Sequence, residues 1–218
     1  GKLQGQALVD KLKADGNGSG KIVMINGSPT DNNAGQFKAG AHSVIDSSGL
    51  TVAAEFDTPD WSPDKAQSEM DQAITAMGKD GFVGVYAAND GTAGGAIAAM
   101  KGAGISPLPP VTGQDAEQAA IQRILIGEQY MTVYKAVKPE AEGAATIAVA
   151  LAKGATPPGD LAKDKVNNNK KDVPSVILTP VAVTADNVRA TVVQDGFWTV
   201  AQICTGAYTG ACTKNGIQ

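Results

Sequence analysis

The feature that most constrains the fold is a strand pattern followed by a helix pattern, repeated five times along the chain. In the clearest copy, the short apolar run 82–87 is followed by Ala93, Ile97 and Met100 at helical spacing. Strands that alternate with helices form parallel sheets, because each helix carries the chain back to the same edge. The chain is therefore predicted to be an α/β protein, with an open parallel sheet and helices on both faces.

The remaining copies of this pattern set the predicted element order. The predicted strands are 21–26, 51–56, 82–87, 110–112 and 129–134, with a further apolar, β-branched run at 176–183. The predicted helices are 2–13, 34–45, 63–77, 92–100, 119–125 and 139–153, followed by a short one at 186–193. Ser62 is the predicted N-cap of the third helix and Pro63 its first residue. The polar insert 156–172 is predicted to be an exposed loop.

Polar or aromatic side chains follow five predicted strands at the point where each strand ends. In a parallel sheet these ends share one edge with the helix N-termini, and ligands bind there. In chain order the side chains are Ser28, Asp31, Asn32 and Asn33, then Asp60 and Trp61, then Asn89 and Asp90, then Gln114 and Asp115, and finally Lys135. Asn and Asp are also ordinary helix N-caps. Capping is the favoured role for Asp90, and ligand contact is the favoured role for Asn89.

These side chains favour a small neutral polyol as the ligand. An amide or a carboxylate can contact two neighbouring hydroxyls, and the face of Trp61 can cover the C–H side of a sugar ring. The phosphate motif GxxxxGK[ST] is absent, and no GxGxxG follows a strand, so no cofactor is predicted. The net charge is −4 with no basic cluster, which excludes nucleic acid as a partner.

Catalysis finds little support in the sequence. The motifs GxSxG and HExxH are absent, and the single histidine, His42, lies in a helix pattern away from the strand ends. Asp90 and Asp115 are an alternative acid/base pair of the glycosidase kind. Because binding needs fewer coincident groups than catalysis, the sequence favours a binding protein over an enzyme.

Cys204 and Cys212 lie in a Gly/Thr-rich tail. A C-x7-C pair with no other ligand nearby is a poor metal site, so a small disulfide loop is favoured. A disulfide predicts an oxidising location outside the cytoplasm. Two unpaired thiols in a cytosolic protein are the alternative. No apolar run has the length needed to span a bilayer.

Four segments closely resemble the xylose-binding type of periplasmic sugar-binding protein: INGSPTDNNAGQFKAG, AANDGTAGGAIAAMKGAG, TGQDAEQAAIQRILIGEQYMTVYK and DVPSVILTPVAVT. These proteins serve ABC importers and have the type I periplasmic-binding-protein fold. The resemblance runs to about Trp198. It implies that residues 1–198 are the C-terminal sugar-binding lobe, and it leaves 199–218 as a Cys-containing tail.

The resemblance also implies which residues contact the sugar. Where the motifs match, the contacts are Asn33, Trp61, Asn89, Asp115 and Lys135, with Asn32 and Asp90 as secondary candidates. The expected ligand is a monosaccharide, xylose or a similar pentose or hexose. Each contact has a structural alternative, which is a helix cap for Asn33, Asn89 and Asp115, a core aromatic for Trp61 and a solvated surface charge for Lys135.

Members of this family have two lobes with the sugar between them, and this chain begins at the helix that opens the second lobe. The resemblance therefore implies that the absent N-terminal lobe and a membrane permease are partners, and that the protein lies outside the cytoplasm, with or without a lipid anchor. The helix 139–153 packs on the absent lobe in the family, so its stripe of Ala144, Ile147, Ala148 and Leu151 is expected to lack that partner. The alternative function is the ligand-sensing domain of a sugar-responsive transcription regulator.

Overall fold

The computed structural model describes residues 1–217. The chain divides into two compact units. The first consists of residues 1–134 together with the chain from residue 182 onward, and the second consists of residues 135–181. The first unit contains the parallel sheet and most of the candidate site.

A three-stranded parallel sheet lies at the centre of the first unit. Its strands are β1 (Lys21–Asn26), β2 (Thr51–Asp57) and β3 (Gly84–Ala87), in the spatial order β2-β1-β3. Ile22 of β1 lies opposite Val52 on one side and Gly84 on the other. All of β1 after Lys21 is buried, as expected for a central strand that is covered on both faces.

Helices cover both faces of this sheet. They are α1 (Lys2–Ala14), α2 (Asn32–Ile45), α3 (Pro63–Met77), α4 (Asp90–Gly102) and α5 (Gln118–Leu125). Successive strand residues point to opposite faces. Ile22 and Met24 accordingly share a core with α1 and α2, whereas Val23 and Ile25 share one with α3 and α4. The predicted fold class, an open parallel sheet with helices on both faces, is confirmed.

The start of α3 follows the predicted local chemistry. Ser62 is the N-cap, its Oγ accepts a hydrogen bond from Lys65 N at 3.4 Å, and Pro63 is the first helical residue. Proline suits this position because its missing N–H has no partner in a first turn anyway.

The fourth and fifth strands are shorter than predicted. The segment 110–112 forms only one parallel bridge, between Val85 and Val111. Pro109 and Pro110 stand at its start, and proline lacks the N–H that a ladder needs. The strand predicted at 129–134 is limited to Thr132–Tyr134, which is β4 in the structure. It pairs with β7 (Val181–Val183).

The prediction of a strand over 176–183 is wrong over most of its length, because only β7 is regular there. Ile177 and Leu178 are exposed, 57% and 37% respectively, and belong to no strand. Apolar, β-branched composition indicates a strand only where a neighbouring strand can pair with it. Here composition alone was misleading.

The second unit contains a helix and a hairpin. α6 (Val137–Ala152) confirms the predicted helix, beginning two residues before Pro139. The predicted exposed loop at 156–172 is wrong in part, because β5 (Asp164–Asn167) and β6 (Asp172–Ser175) pair in antiparallel fashion. Asn168 Oδ1 closes their turn by accepting from Lys170 N and Lys171 N at 3.1 and 3.0 Å.

The predicted short helix at 186–193 is a single π-helical turn, Arg189–Val193. It leads into a tail with α7 (Val200–Ile203) and α8 (Thr209–Lys214). The predicted Cys204–Cys212 disulfide is present. The tail packs against α5, where Gln122 Nε2 donates to Ile203 O at 3.0 Å. Among residues 1–217, no helix is both long and apolar enough to cross a membrane.

Candidate functional site

The candidate site lies where β1, β2 and β3 end at their carboxyl edge. Since the three strands are parallel, the segments that follow them emerge on the same side. Hydrogen bonds join the segment after β2 to the one after β1, and the segment after β3 to the one after Val111. Asp60 N, after β2, donates to Ser28 Oγ, after β1, at 3.2 Å, and Asp90 N, after β3, donates to Gln114 O at 2.9 Å.

Trp61 ends a short 3₁₀ turn, Pro59–Trp61, directly after β2. Asp60 and Trp61 have φ values of 60° and 56°, in the left-handed region that is costly for residues with a Cβ. The indole packs against Gly27, where an added Cβ would lie 2.0 Å from the ring. Its Nε1 donates to Asp31 Oδ2 at 3.2 Å, and its ring meets Phe37 edge to face at 6.3 Å. These contacts hold a partly exposed indole in one orientation.

Asn32 and Asn33 are the first two residues of α2, and both are exposed. The cap of α2 is Asp31, whose Oδ1 accepts from Asn33 N at 2.8 Å. One carboxylate therefore fixes both the indole of Trp61 and the helix turn that carries Asn33. A surface depression of about 490 Å³ opens beside this turn, with Gly27, Asp31 and Asn32 in its lining. Asn33, Trp61, Asn89 and Asp115 do not line this depression.

Asn89 is the N-cap of α4, and only part of its side chain serves the cap. Its Oδ1 accepts from Thr92 N and Thr92 Oγ1, both at 2.9 Å. Within residues 1–217 its Nδ2 donates to no other group. The capping role and the ligand role therefore use different atoms of the same amide, which leaves a hydrogen-bond donor for a ligand.

Asp115 lies in the segment between Val111 and α5, partly buried and with a φ of 97°. Its backbone N donates to Val133 O at 2.9 Å, which ties the segment to β4. Left-handed backbone at a residue with a Cβ persists only where the surroundings enforce it, and such residues cluster at functional sites.

Asp90, a secondary candidate, is 1% exposed and already has protein partners. Gln129 Nε2 donates to Oδ1 at 2.8 Å, and Thr132 Oγ1 and Glu117 N donate to Oδ2, both at 2.9 Å. Burial raises the pKa of Asp90 to about 7, against the opposing effect of these hydrogen bonds. Both carboxylate oxygens are engaged inside the protein, which disfavours direct contact between Asp90 and a ligand.

Lys135 directly follows β4, is exposed and is the first residue of the second unit. The segments that carry the other four contacts, Asn33, Trp61, Asn89 and Asp115, all lie in the first unit. Among residues 1–217, no group of three or more His, Cys, Asp or Glu side chains is placed to hold a metal ion.

Two supporting sets of contacts go beyond what strand-end reasoning can find. They are the bond from Trp61 to Asp31, and the pairing of Asp90 with Gln129 and Thr132. The sequence does indicate that Asp90 needs partners, because a carboxylate at the start of a buried, Ala-rich helix must be hydrogen-bonded. Nothing in the sequence indicates which side chains those partners are.

Residues 1–156 match the model of the periplasmic binding protein domain family, which is more than half of the chain. The chain belongs to the periplasmic binding protein family. It is 42% identical over 201 residues to the D-xylose-binding periplasmic protein of Escherichia coli (strain K12), over 90% of this chain and 58% of that protein. It is 36% identical over 220 residues to the multiple sugar-binding periplasmic receptor ChvE of Rhizobium radiobacter, over 93% of this chain and 62% of that protein.

Solved structures support the same family assignment. An ABC transporter solute-binding protein of Clostridium phytofermentans, with bound β-D-glucose, superposes with a TM-score of 0.80 at 30% identity. The match covers 93% of this chain and 66% of that one. A carbohydrate transporter solute-binding protein of Chloroflexus aurantiacus, in complex with D-glucose, gives a TM-score of 0.78 at 29% identity. This periplasmic binding protein chain thus spans about 58–66% of the length of such relatives.

Proposed function

We propose that this chain binds a monosaccharide as part of the solute-binding component of an ABC sugar importer. The observation that carries the proposal is the partly exposed indole of Trp61, held in one orientation beside hydrogen-bonding side chains. The proposed contacts are Asn33, Trp61, Asn89 and Asp115, with Lys135 retained from the sequence. A flat apolar face flanked by polar groups suits a sugar ring, which has C–H faces and a hydroxyl rim.

The polar side chains differ in the hydrogen bonds that they offer to a sugar. Asn89 Nδ2 offers a donor to a ring hydroxyl, while Asn33 can both donate and accept. The Asp115 carboxylate accepts from hydroxyls, and charged acceptors form the stronger hydrogen bonds. No bond is made or broken in this scheme, so we propose binding and release without catalysis.

A pentose or a hexose is the ligand class that the relatives support. The E. coli relative is named for D-xylose, and the two solved structures hold glucose. We propose xylose or a similar monosaccharide for this chain. The proposed cellular location is outside the cytoplasm, where the disulfide is stable. For the alternative function, a cytosolic regulator domain, that disulfide is unfavourable.

We also propose that a second lobe completes the sugar site and packs on α6. Ala144, Ala148 and Leu151 of α6 are exposed, Ile147 is half-buried, and Gly143 is the one buried residue of the helix. Because these four apolar residues have the spacing of one helix face, they form a stripe of the kind that another protein surface covers. By the same proposal, closure of the two lobes around the sugar is the signal that the membrane permease recognises.

A thermal-shift screen of the full-length protein against pentoses and hexoses tests the proposed function. A ligand that binds only the folded state raises the melting temperature, by an amount that grows with its concentration above Kd. We expect D-xylose or a close analogue to raise Tm, with mannitol, an open-chain polyol, as the negative control. If no monosaccharide moves Tm at millimolar concentration, the proposal is refuted.

A further inference from the structure

Asp90 is a buried carboxylate placed between two of the proposed contacts, Asn89 and Asp115. Every side-chain or backbone group that meets its carboxylate oxygens in residues 1–217 is a donor, namely Gln129 Nε2, Thr132 Oγ1 and Glu117 N. The arrangement is an anion site that the protein fills with its own side chain. Burying a carboxylate costs desolvation free energy, so its oxygens need hydrogen-bond donors from the protein.

The segment next to this carboxylate is strained. Asp115 and Ala116 have φ values of 97° and 51°, both left-handed. Besides the backbone bonds to Val133, three hydrogen bonds of the segment involve Asp90 or a side chain bonded to it. Asp90 N donates to Gln114 O at 2.9 Å, Glu117 N donates to Asp90 Oδ2 at 2.9 Å, and Ala116 N donates to Thr132 Oγ1 at 3.1 Å.

We propose that Asp90 is a positioning residue for sugar binding, whose ionised carboxylate holds the segment 113–117 in the shape that presents Asp115. Its backbone also joins that segment to Asn89, the residue before it in the chain. The inference rests on the proposed function, since it assigns Asp90 a role in the same site without contact to the sugar.

The charge state of Asp90 follows from its surroundings. Arg123 donates from Nη2 to Asp90 O at 2.9 Å and from Nε to Gln129 Oε1 at 3.0 Å. The other titratable groups around this cluster are Glu117, whose charge raises the pKa of Asp90, then Asp115 beside Glu117, and Glu128 and Tyr208 beside Arg123. Burial has the largest effect and raises the pKa of Asp90 to about 7.

Protonation of Asp90 weakens this arrangement. Gln129 and Glu117 present N–H groups, so among these partners only Thr132 Oγ1 can accept the added hydrogen, and it must then give up its own donation to Asp90 Oδ2. The neutral acid is also a weaker acceptor than the carboxylate for Glu117 N, which loosens the segment. Sugar affinity accordingly falls as the pH falls through about 7, the pKa of Asp90.

The test compares Asp90→Asn with wild type in the full-length protein, by calorimetry with D-xylose and D-glucose from pH 5.5 to 8.5. At high pH, loss of a buried charged hydrogen-bond acceptor raises Kd about tenfold or more. Wild-type Kd rises toward low pH with a midpoint near 7, whereas the variant has a flat profile. Asp71→Asn, an exposed position on α3 with the same charge change, leaves Kd and its pH profile as in wild type. Asp90→Asn with wild-type Kd and wild-type pH dependence overturns the inference.

A measurement without sugar separates this inference from the proposed function. In Asp90→Asn, the backbone amide of Glu117 exchanges with solvent about tenfold faster or more, because it loses its charged acceptor. Thr132→Val keeps the side-chain shape and speeds exchange of the Ala116 amide in the same way. Unchanged exchange at both amides refutes the positioning role. If wild type binds neither sugar but these amides lose protection, the proposed function fails and the positioning of the segment stands.

Discussion

Replacing Trp61 with alanine tests the stacking face on which the proposed sugar site depends. One face of the indole packs against Gly27, which leaves the other face for a sugar ring. The substitution therefore removes one stacking contact. Removing one aromatic stacking partner costs about 1–3 kcal/mol, which corresponds to a rise in Kd of about 5- to 150-fold. Calorimetry of the full-length Trp61→Ala variant with D-xylose measures this directly.

Trp61 also contributes to folding, and a control must separate the two effects. Alanine removes the edge-to-face contact with Phe37 and the bond to Asp31, which together stabilise the fold by about 1–3 kcal/mol. Phe37→Leu removes the same aromatic pair and leaves the indole in place. We expect it to lower Tm with a Kd within about twofold of wild type. An unchanged Kd in Trp61→Ala, measured on folded protein, refutes the stacking role.

Three further predictions concern stability. Hydrogen bonds to Glu55 and Asp46 raise the pKa of His42 in the folded protein. These bonds therefore contribute fully to the free energy of unfolding below the ordinary His pKa, and the contribution is lost as the pH rises through the pKa of His42 in the folded protein. His42→Gln therefore flattens the pH dependence of urea unfolding above about pH 6.5, and an unaltered slope contradicts this. Gly113→Ala forces a Cβ to 2.1 Å from Asp90 Oδ1 and lowers stability by about 1–3 kcal/mol, whereas Gly35→Ala, with open space at its Cβ, leaves stability unchanged or raises it. Cys204→Ser with Cys212→Ser opens a short loop and lowers stability by about 2–3 kcal/mol in thermal unfolding, and an unchanged Tm rules out that contribution.

The central part of the fold could be predicted because burial leaves a pattern in the sequence. β1 and β3 are apolar runs because both faces of the sheet are covered, and α1 to α4 show the helical spacing of their buried faces. The hairpin β5–β6 leaves no such pattern. β5 is exposed throughout, so neither period nor hydrophobicity marks it as a strand. The run 176–180 fails for the opposite reason, since Ile177 and Leu178 are exposed and no residue of the run belongs to a strand.

The location of the candidate site could be predicted from the order of strands and helices, but the hydrogen-bond partners of its side chains could not. The sequence favours ligand contact for Asn89 and capping for Asp90, and the capping role of Asp90 is wrong, because Asn89 is the N-cap of α4. Asn89 keeps a donor available, whereas Asp90 is engaged by Gln129, Thr132 and Glu117. These partners lie 27 to 42 residues away in the chain, so no local pattern could indicate them.

A titration of the isotope-labelled full-length protein with D-xylose, followed by NMR, tests most directly whether the carboxyl edge of the sheet is the sugar site. We expect saturable shifts at the indole N–H of Trp61 and the side-chain amides of Asn33 and Asn89. A depression of about 350 Å³ beside the amino end of β4, lined in part by Lys11 and Tyr130, provides the internal comparison. Saturable binding with shifts confined to Lys11, Tyr130 and their neighbours refutes sugar binding at the carboxyl edge.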